Sequence, residues 1–237
     1  MSDEFYVGYQ PKAPPALARI VRRYVIGVMV VTILAAGALL IGQTPFDDAK
    51  FDYGVYADHS GVLEAQPYPV LRTATGSFLL VAPGKHGFSE HSPGIVRLKG
   101  SLIERGSERM LEVMPGSVGD IPGTVQQSDA ESLGRITLRG EIVDSKCWLG
   151  VMNPGSGEIH SDCAVRCISG GIPPAFAAAD ASGAMRVFLL TGSDGRRLNR
   201  ETLQYAGQRL EISGELVRSG DLQIIRTEPA HFRRNPE

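Results

Sequence analysis

The residues best suited to chemistry are concentrated in one stretch, residues 140–174, with the sequence GEIVDSKCWLGVMNPGSGEIHSDCAVRCISGGIPP. This stretch holds all three cysteines of the 237-residue chain, its single tryptophan and one of its five histidines. Thiolates and imidazoles are ligands for soft metal ions, and pairs of thiols can form disulfides. The segment therefore predicts metal binding or thiol–disulfide chemistry, without naming a reaction or a substrate.

Four side chains in this segment have a spacing that suits one metal ion. Cys147 follows a predicted strand, while His160, Cys163 and Cys167 stand at i, i+3 and i+7 and share one face if they are helical. The Pro-Gly-Ser-Gly turn before His160 can fold that face back onto the end of the strand. The prediction is a Cys3His site for zinc or copper(I), although the spacing matches no common zinc finger.

Two other interpretations of the cysteines stay open. Cys163 would stand in the first turn of the helix, where backbone N–H groups favour a thiolate, and Arg166 and Lys146 would add positive potential. Cys163 could then exchange disulfides with Cys167 or with Cys147. The plainest interpretation is a structural disulfide with one spare cysteine, which an exported domain allows. No complete catalytic constellation accompanies the cysteines, so we expect a binding or accessory protein and predict no catalytic or cofactor-binding residues.

The cysteine segment and the amino terminus resemble an uncharacterised family of exported bacterial proteins. The resemblance rests on a strand ending in VDSKC, then on HSDCAVRCISGGIPP, and on a leader EFYVGYQPKAPP that is similar to that of a membrane-anchored branch. It covers the leader and residues 135–175. The resemblance implies a bacterial envelope protein that is an accessory to a membrane redox system, and it implies no particular activity.

The elements that must position the cysteines are predicted to be short strands. Apolar and alternating runs recur between glycines and prolines in residues 70–113, and again in residues 135–226. The segment VRLKGSLIERGSERMLEVMPG is echoed by RLEISGELVRSGDLQIIRTEPA near the end of the chain. The expected fold is mainly β, with two small OB-like barrels, the second of which carries a short cysteine-bearing helix at about residues 162–169. A second short helix is expected to begin at Asn199.

Residues 24–42, YVIGVMVVTILAAGALLIG, form an uncharged apolar run that is just long enough to cross a bilayer. Basic residues precede the run and two aspartates follow it, which predicts a cytoplasmic amino terminus and a carboxy-terminal portion outside the bacterial inner membrane. A cleaved signal peptide is the main alternative, because Ala36-Gly37-Ala38 has the small residues of a cleavage site. The run continues past Ala38, which favours a retained anchor.

The expected organisation of the chain follows from these boundaries. The predicted segments are a cytoplasmic leader at 1–23, a transmembrane helix at 24–42, a linker at 43–53, a first barrel at 54–125 and a second barrel at 133–237. The aromatic leader is interpreted either as a disordered tail or as a docking peptide for other subunits of a membrane complex. A net charge of −2 and sparse aromatic residues argue against nucleic acid as a partner.

Overall fold

The structure is a computed structural model that describes residues 13–43, 49–88, 91–125, 130–179 and 183–234. The chain divides into two compact units, Met1–Asp47 and Asp48–Glu237. Residues 1–10, for which a docking role is predicted, lie outside the described part of the chain.

The first unit contains helix α1, Pro15–Gln43, which begins nine residues before the predicted span. A proline at the first helical position loses no hydrogen bond, because the first N–H groups of a helix have no partner within it. The basic ALARIVRR segment is therefore the first part of the same helix. Its most apolar window has a mean hydropathy of 2.6, and the helix is long and apolar enough to span a membrane.

The second unit begins with a closed five-stranded barrel. β5 pairs with both β2 and β6, which closes the ring β2–β3–β4–β6–β5. β1 and β7 pair with β5 outside the ring, and β1 falls within the segment expected to be a linker. The strands are β1 (Ala49–Phe51), β2 (Ala57–Glu64), β3 (Val70–Thr73), β4 (Gly76–Val81), β5 (Gly94–Arg105), β6 (Glu108–Val113) and β7 (Gly119–Ile121).

The remaining strands form a second sheet, in which β11 pairs with both β8 and β12. The ring of pairings is β8–β9–β10–β12–β11, and β13 extends it beside β11. The elements are β8 (Ala130–Asp144), α2 (Ser161–Ser169), β9 (Pro174–Ala179), β10 (Met185–Thr191), α3 (Asn199–Thr202), β11 (Arg209–Ser219), β12 (Leu222–Arg226) and β13 (Phe232–Arg234). Both short helices predicted from the sequence are confirmed, with α2 beginning one residue earlier than expected.

The two rings have the same strand order. In each ring the third and fifth strands along the chain pair in parallel, which are β4 with β6 and β10 with β12. The two similar sequence segments correspond to β5–β6 and β11–β12, the same pair of strands in each ring. At Gly100, β5 changes its partner from β2 to β6. A Cβ atom on Gly100 would lie 3.0 Å from the Cβ atom of Leu111, so the bend there has little room for a side chain.

A single hydrophobic cluster joins the two rings. It contains Tyr68, Leu79 and Met110 from the first and Leu149 and Leu189 from the second, and all five are at least 95% buried. Fully burying a side chain of this size contributes about 1.5–3 kcal/mol relative to leaving it exposed. Burial of apolar surface therefore holds the two rings together, and the cysteine segment lies in that shared core.

Polar contacts between the two rings fix their position relative to each other. Arg72 on β3 donates hydrogen bonds to the carbonyl and hydroxyl oxygens of Ser219, at 2.8 and 2.7 Å. The Tyr68 hydroxyl donates to the Leu190 carbonyl at 2.8 Å. A fully buried ion pair joins the Lys146 ammonium to the Glu112 carboxylate at 2.5 Å, with side-chain exposures of 2% and 7%.

We predict that the Glu112–Lys146 pair contributes to stability only while both charges are present. Lys146→Met leaves a buried carboxylate without its counter-charge and should lower the free energy of unfolding by about 3–5 kcal/mol. The double variant Glu112→Gln/Lys146→Met should recover most of that loss. Urea denaturation of the full chain in detergent measures both.

The matched control is the exposed pair Arg218–Glu131, whose side chains are 52% and 60% exposed. Arg218→Met should cost less than about 1 kcal/mol, because solvent screens a surface pair. Equal stability losses for Lys146→Met and Arg218→Met would contradict the role assigned to the buried pair.

Candidate functional site

The cysteine segment starts where β8 enters the interface between the rings. β8 ends at Asp144, which is fully buried, and its Oδ1 accepts a hydrogen bond from the Cys147 backbone N–H at 2.8 Å. Its other oxygen, Oδ2, lies 3.0 Å from Nε2 of His160. One carboxylate therefore ties together both ends of the loop that runs from Cys147 to His160.

The Pro-Gly-Ser-Gly turn folds back onto Cys147, as the sequence predicts. A Cβ atom on Gly155 would overlap the carbonyl oxygen of Cys147, so only glycine allows this approach. The turn brings His160 to the start of α2. Cys163 and Cys167 follow on one face of α2, since residues four apart lie one above the other on a helix.

The sulfur atoms of Cys147, Cys163 and Cys167 all lie within 4.8 Å of one another. His160 belongs to a second, overlapping set, in which its ring nitrogen, an Asp144 oxygen and the Cys147 sulfur also lie within 4.8 Å of one another. The structure thus gathers the three predicted cysteines in one group. Through Cys147 this group adjoins the pair formed by His160 and Asp144.

The three thiols have different surroundings. Cys147 and Cys167 are 3% and 2% exposed, whereas Cys163 is partly exposed. A hydrogen bond to Cys167 and burial raise the pKa of the Cys147 thiol. Accepting that hydrogen bond lowers the pKa of Cys167 to about 7. Of these two thiols, Cys167 is therefore the one that ionises first.

A loop from the first ring covers the cysteines. This strap loop, residues 82–88, is held at one end by the Lys146 ammonium, which donates to the carbonyls of Ala82 and Gly84 at 3.0 and 2.7 Å. At its other end the Gly87 N–H donates to the Gly170 carbonyl at 2.9 Å. Between these points the Lys85 ammonium donates to the Cys163 sulfur at 3.1 Å.

These contacts change the interpretation of several residues. Lys85 has no role assigned from the sequence, but its ammonium contacts Cys163. The Lys146 side chain was expected to add positive potential beside the thiols. Its ammonium instead pairs with the Glu112 carboxylate and donates to a carbonyl of the strap loop. Gly170 and Gly171 are residues of the kind that end a helix. They do follow the last residue of α2, and because they have no side chains they also leave room for the strap loop.

Asp144, Glu112 and Lys85 are the residues that sequence reasoning missed. Asp144 had a signal, since it opens the D-S-x-C pattern at the end of a strand, where a carboxylate can accept the N–H groups of the following turn. Glu112 and Lys85 had none, because their partners are 34 and 78 residues away along the chain.

The indole of Trp148, next to Cys147, closes another side of the segment. It is 97% buried, and the Arg105 guanidinium of β5 lies 4.4 Å from its ring centroid. A Cβ atom on Gly150 would lie 3.0 Å from the Lys50 carbonyl oxygen in β1. Elements of the first ring thus surround the cysteine segment, which holds the sulfurs in one geometry.

Comparison with models of protein families, with curated proteins and with solved structures finds no match.

We predict that Gly170→Ala opens the site. The new methyl group would overlap the Lys85 carbonyl oxygen, so the strap loop must move away, at a cost of about 1–3 kcal/mol of stability. Alkylation of the apo protein by iodoacetamide should then become faster at Cys147 and Cys167, as followed by intact mass.

The control is Gly94→Ala, because Gly94 has open space around a Cβ atom and lies at the start of β5. It should alkylate like the wild type. Unchanged alkylation in Gly170→Ala would mean that the strap loop does not restrict access to the cysteines.

Proposed function

We propose that this chain is a membrane-anchored protein of the bacterial cell envelope that binds one copper(I) ion through Cys147, Cys163 and Cys167. In this proposal it serves as an accessory subunit of a membrane redox complex. The observation that carries the metal assignment is the convergence of three cysteine sulfurs within 4.8 Å in a mostly buried position.

The distances suit a three-coordinate ion. With metal–sulfur bonds of about 2.3 Å, a trigonal site places its sulfurs about 4 Å apart. This distance agrees with the separations of up to 4.8 Å between the three cysteine sulfurs. Soft thiolates select copper(I) among the common biological metals, together with zinc and iron–sulfur clusters. Three thiolates complete the shell of a trigonal ion, so no fourth ligand is needed.

The surroundings suit a shielded copper(I) ion. Three thiolates and one copper(I) ion sum to −2, and the partly exposed sulfur of Cys163 leaves part of this charge in contact with solvent. Burial of Cys147 and Cys167 keeps water away from the ion. A copper(I) ion shielded in this way is protected against oxidation and loss.

Zinc is the other metal that the ligand types allow. Structural zinc takes four ligands, so the predicted Cys3His set would require His160 to leave Asp144 and approach the sulfurs. The hydrogen-bond distance of 3.0 Å between His160 and Asp144 supports a role in positioning the loop around Cys147. The effect of His160→Ala on metal retention distinguishes the two sites.

Disulfide chemistry is the second candidate function. Three sulfurs this close need only small movements for two of them to bond on oxidation, with the third able to attack the bond formed. Such a protein would exchange disulfides through Cys163 and Cys167, or hold a structural disulfide with one spare thiol. It would bind no stoichiometric metal.

We further infer that the two rings are OB-like barrels derived from one ancestral unit. Identical strand order, a parallel pair between the third and fifth strands, and the echo between β5–β6 and β11–β12 support this inference. The first barrel contributes the strap loop and the second contributes the cysteines. In this account the site formed when two copies packed together and one acquired the cysteine segment.

The anchor and its orientation complete the proposal. Lys12, Arg19, Arg22 and Arg23 lie before or within the first turns of α1, and Asp47 and Asp48 follow it, which supports a cytoplasmic amino terminus. The barrels would then lie in the periplasm. The aromatic leader would contact neighbouring subunits in or near the membrane. The resemblance to membrane-anchored envelope proteins supports the same location.

We predict that full-length protein reconstituted with copper(I) under anaerobic conditions holds close to one copper per chain. Its thiols should resist alkylation until the metal is removed, because a coordinated thiolate has little free nucleophilicity. Any one of Cys147→Ser, Cys163→Ser and Cys167→Ser should lose most of the bound copper, as measured by metal analysis after desalting.

His160→Ala should retain copper like the control His231→Ala, whose imidazole is exposed and remote in sequence from the cysteines. Loss of the metal in His160→Ala alone would instead establish the four-ligand site. A protein without metal that gains the mass of two hydrogens on reduction would exclude the metal proposal and favour the disulfide.

We predict that protease added to intact spheroplasts degrades everything beyond Gly42 and spares the amino-terminal segment. The basis is the charge asymmetry around α1. Immunoblotting with tags at the two termini measures the result, and a cytoplasmic enzyme serves as the control for intact membranes. Protection of the carboxy-terminal tag would overturn the proposed orientation.

A further inference from the structure

The three cysteines are reached by solvent very unequally. Cys147 and Cys167 are 3% and 2% exposed and belong, with Trp148, to the buried cluster that joins the rings. Cys163 is the partly exposed member of the group. An ion that arrives from outside therefore meets the sulfur of Cys163 first.

The approach to Cys163 is positively charged. Lys85 is exposed on the strap loop, and its ammonium lies 3.1 Å from the Cys163 sulfur. Arg166 is exposed three residues further along α2, on the same face as Cys163. Asp162 is also exposed, but it precedes Cys163 by one residue and so points about 100° away around the helix.

We propose that Cys163 is the exchange ligand of the copper site and that Lys85 recruits the donor, which is a small anionic thiol complex of copper(I). This inference rests on the proposed function. A copper(I) ion bound by donor thiolates carries net negative charge, which the two basic side chains attract. Lys85 then holds the Cys163 sulfur at the surface, where it displaces a donor thiolate.

Transfer proceeds by exchange of ligands and involves no electron transfer. The Cys163 sulfur forms a bond to copper while one donor thiolate leaves. With a donor that holds copper(I) through two thiolates, the two departing thiolates take up two of the three protons released by the cysteine thiols, and the third proton passes to solvent. Cys147 and Cys167 complete the site by displacing the remaining donor ligands, and the ion moves from the surface into the shared core of the two barrels.

The test compares loading rates from two donors, an anionic thiolate complex and a cationic complex with neutral ligands. Apo full-length protein in detergent is mixed in a stopped-flow instrument with copper(I)–glutathione or with copper(I)–acetonitrile, and formation of thiolate–copper absorption is followed. Lys85→Glu should slow loading from the glutathione complex by roughly tenfold, and its rate should lose most of its dependence on ionic strength. Lys85→Met should fall between this variant and the wild type.

Loading from the acetonitrile complex, which is a cation, should be no slower in either Lys85 variant than in the wild type, because the lysine ammonium repels a cation. The matched control is Lys99→Glu, since Lys99 is also an exposed lysine of the first barrel but belongs to β5. It should load at the wild-type rate from both donors.

The outcomes separate this inference from the proposed function. Equal slowing by Lys85→Glu and Lys99→Glu, or equal slowing with both donors, would overturn the role of Lys85. If the Lys85→Glu protein never reaches the wild-type copper content, Lys85 belongs to the binding site itself. That result would also overturn its role in recruiting the donor. Wild-type protein that holds no copper after prolonged incubation would instead overturn the proposed function.

Discussion

Burial of apolar surface between the two rings is the interaction on which the cysteine site depends. The cluster that joins them includes Cys147, Trp148 and Cys167 among its buried members, and Cys163 packs against it. The cysteines are thus part of the interface that holds the unit together. Because protein interiors are closely packed, their sulfurs are held in place by the same contacts that stabilise the fold.

Charges placed inside this interface add specificity to the apolar contacts. A buried ion pair contributes little net stability compared with apolar residues of the same size, but an unpaired buried charge is costly. The Glu112–Lys146 pair therefore penalises any arrangement of the rings that separates the two residues. Since Lys146 also binds the carbonyls of the strap loop, the correct arrangement of the rings brings Lys85 to Cys163.

The sequence predicts the local parts of this structure and misses the long-range ones. Glycine punctuation, alternating strands and the spacing of the cysteines predict α2, the β-rich fold and the turn that returns to Cys147. The roles of Lys85 and Lys146 depend on partners at least 34 residues away, which no local pattern encodes. The glycine pair after α2 is explained locally by the end of the helix. Its second role, leaving room for the strap loop, depends on residues far away in the sequence.

A site built between two rings of strands also explains why the chain has no familiar metal-binding motif. The ligands come from one segment, but their enclosure comes from the other ring, so the spacing of the cysteines alone does not describe the site. The most direct test is X-ray absorption at the copper edge of the reconstituted full-length protein. The account predicts a shell of three sulfur scatterers at about 2.3 Å and no nitrogen in that shell; a shell dominated by nitrogen or oxygen, or one with a single sulfur, would contradict it.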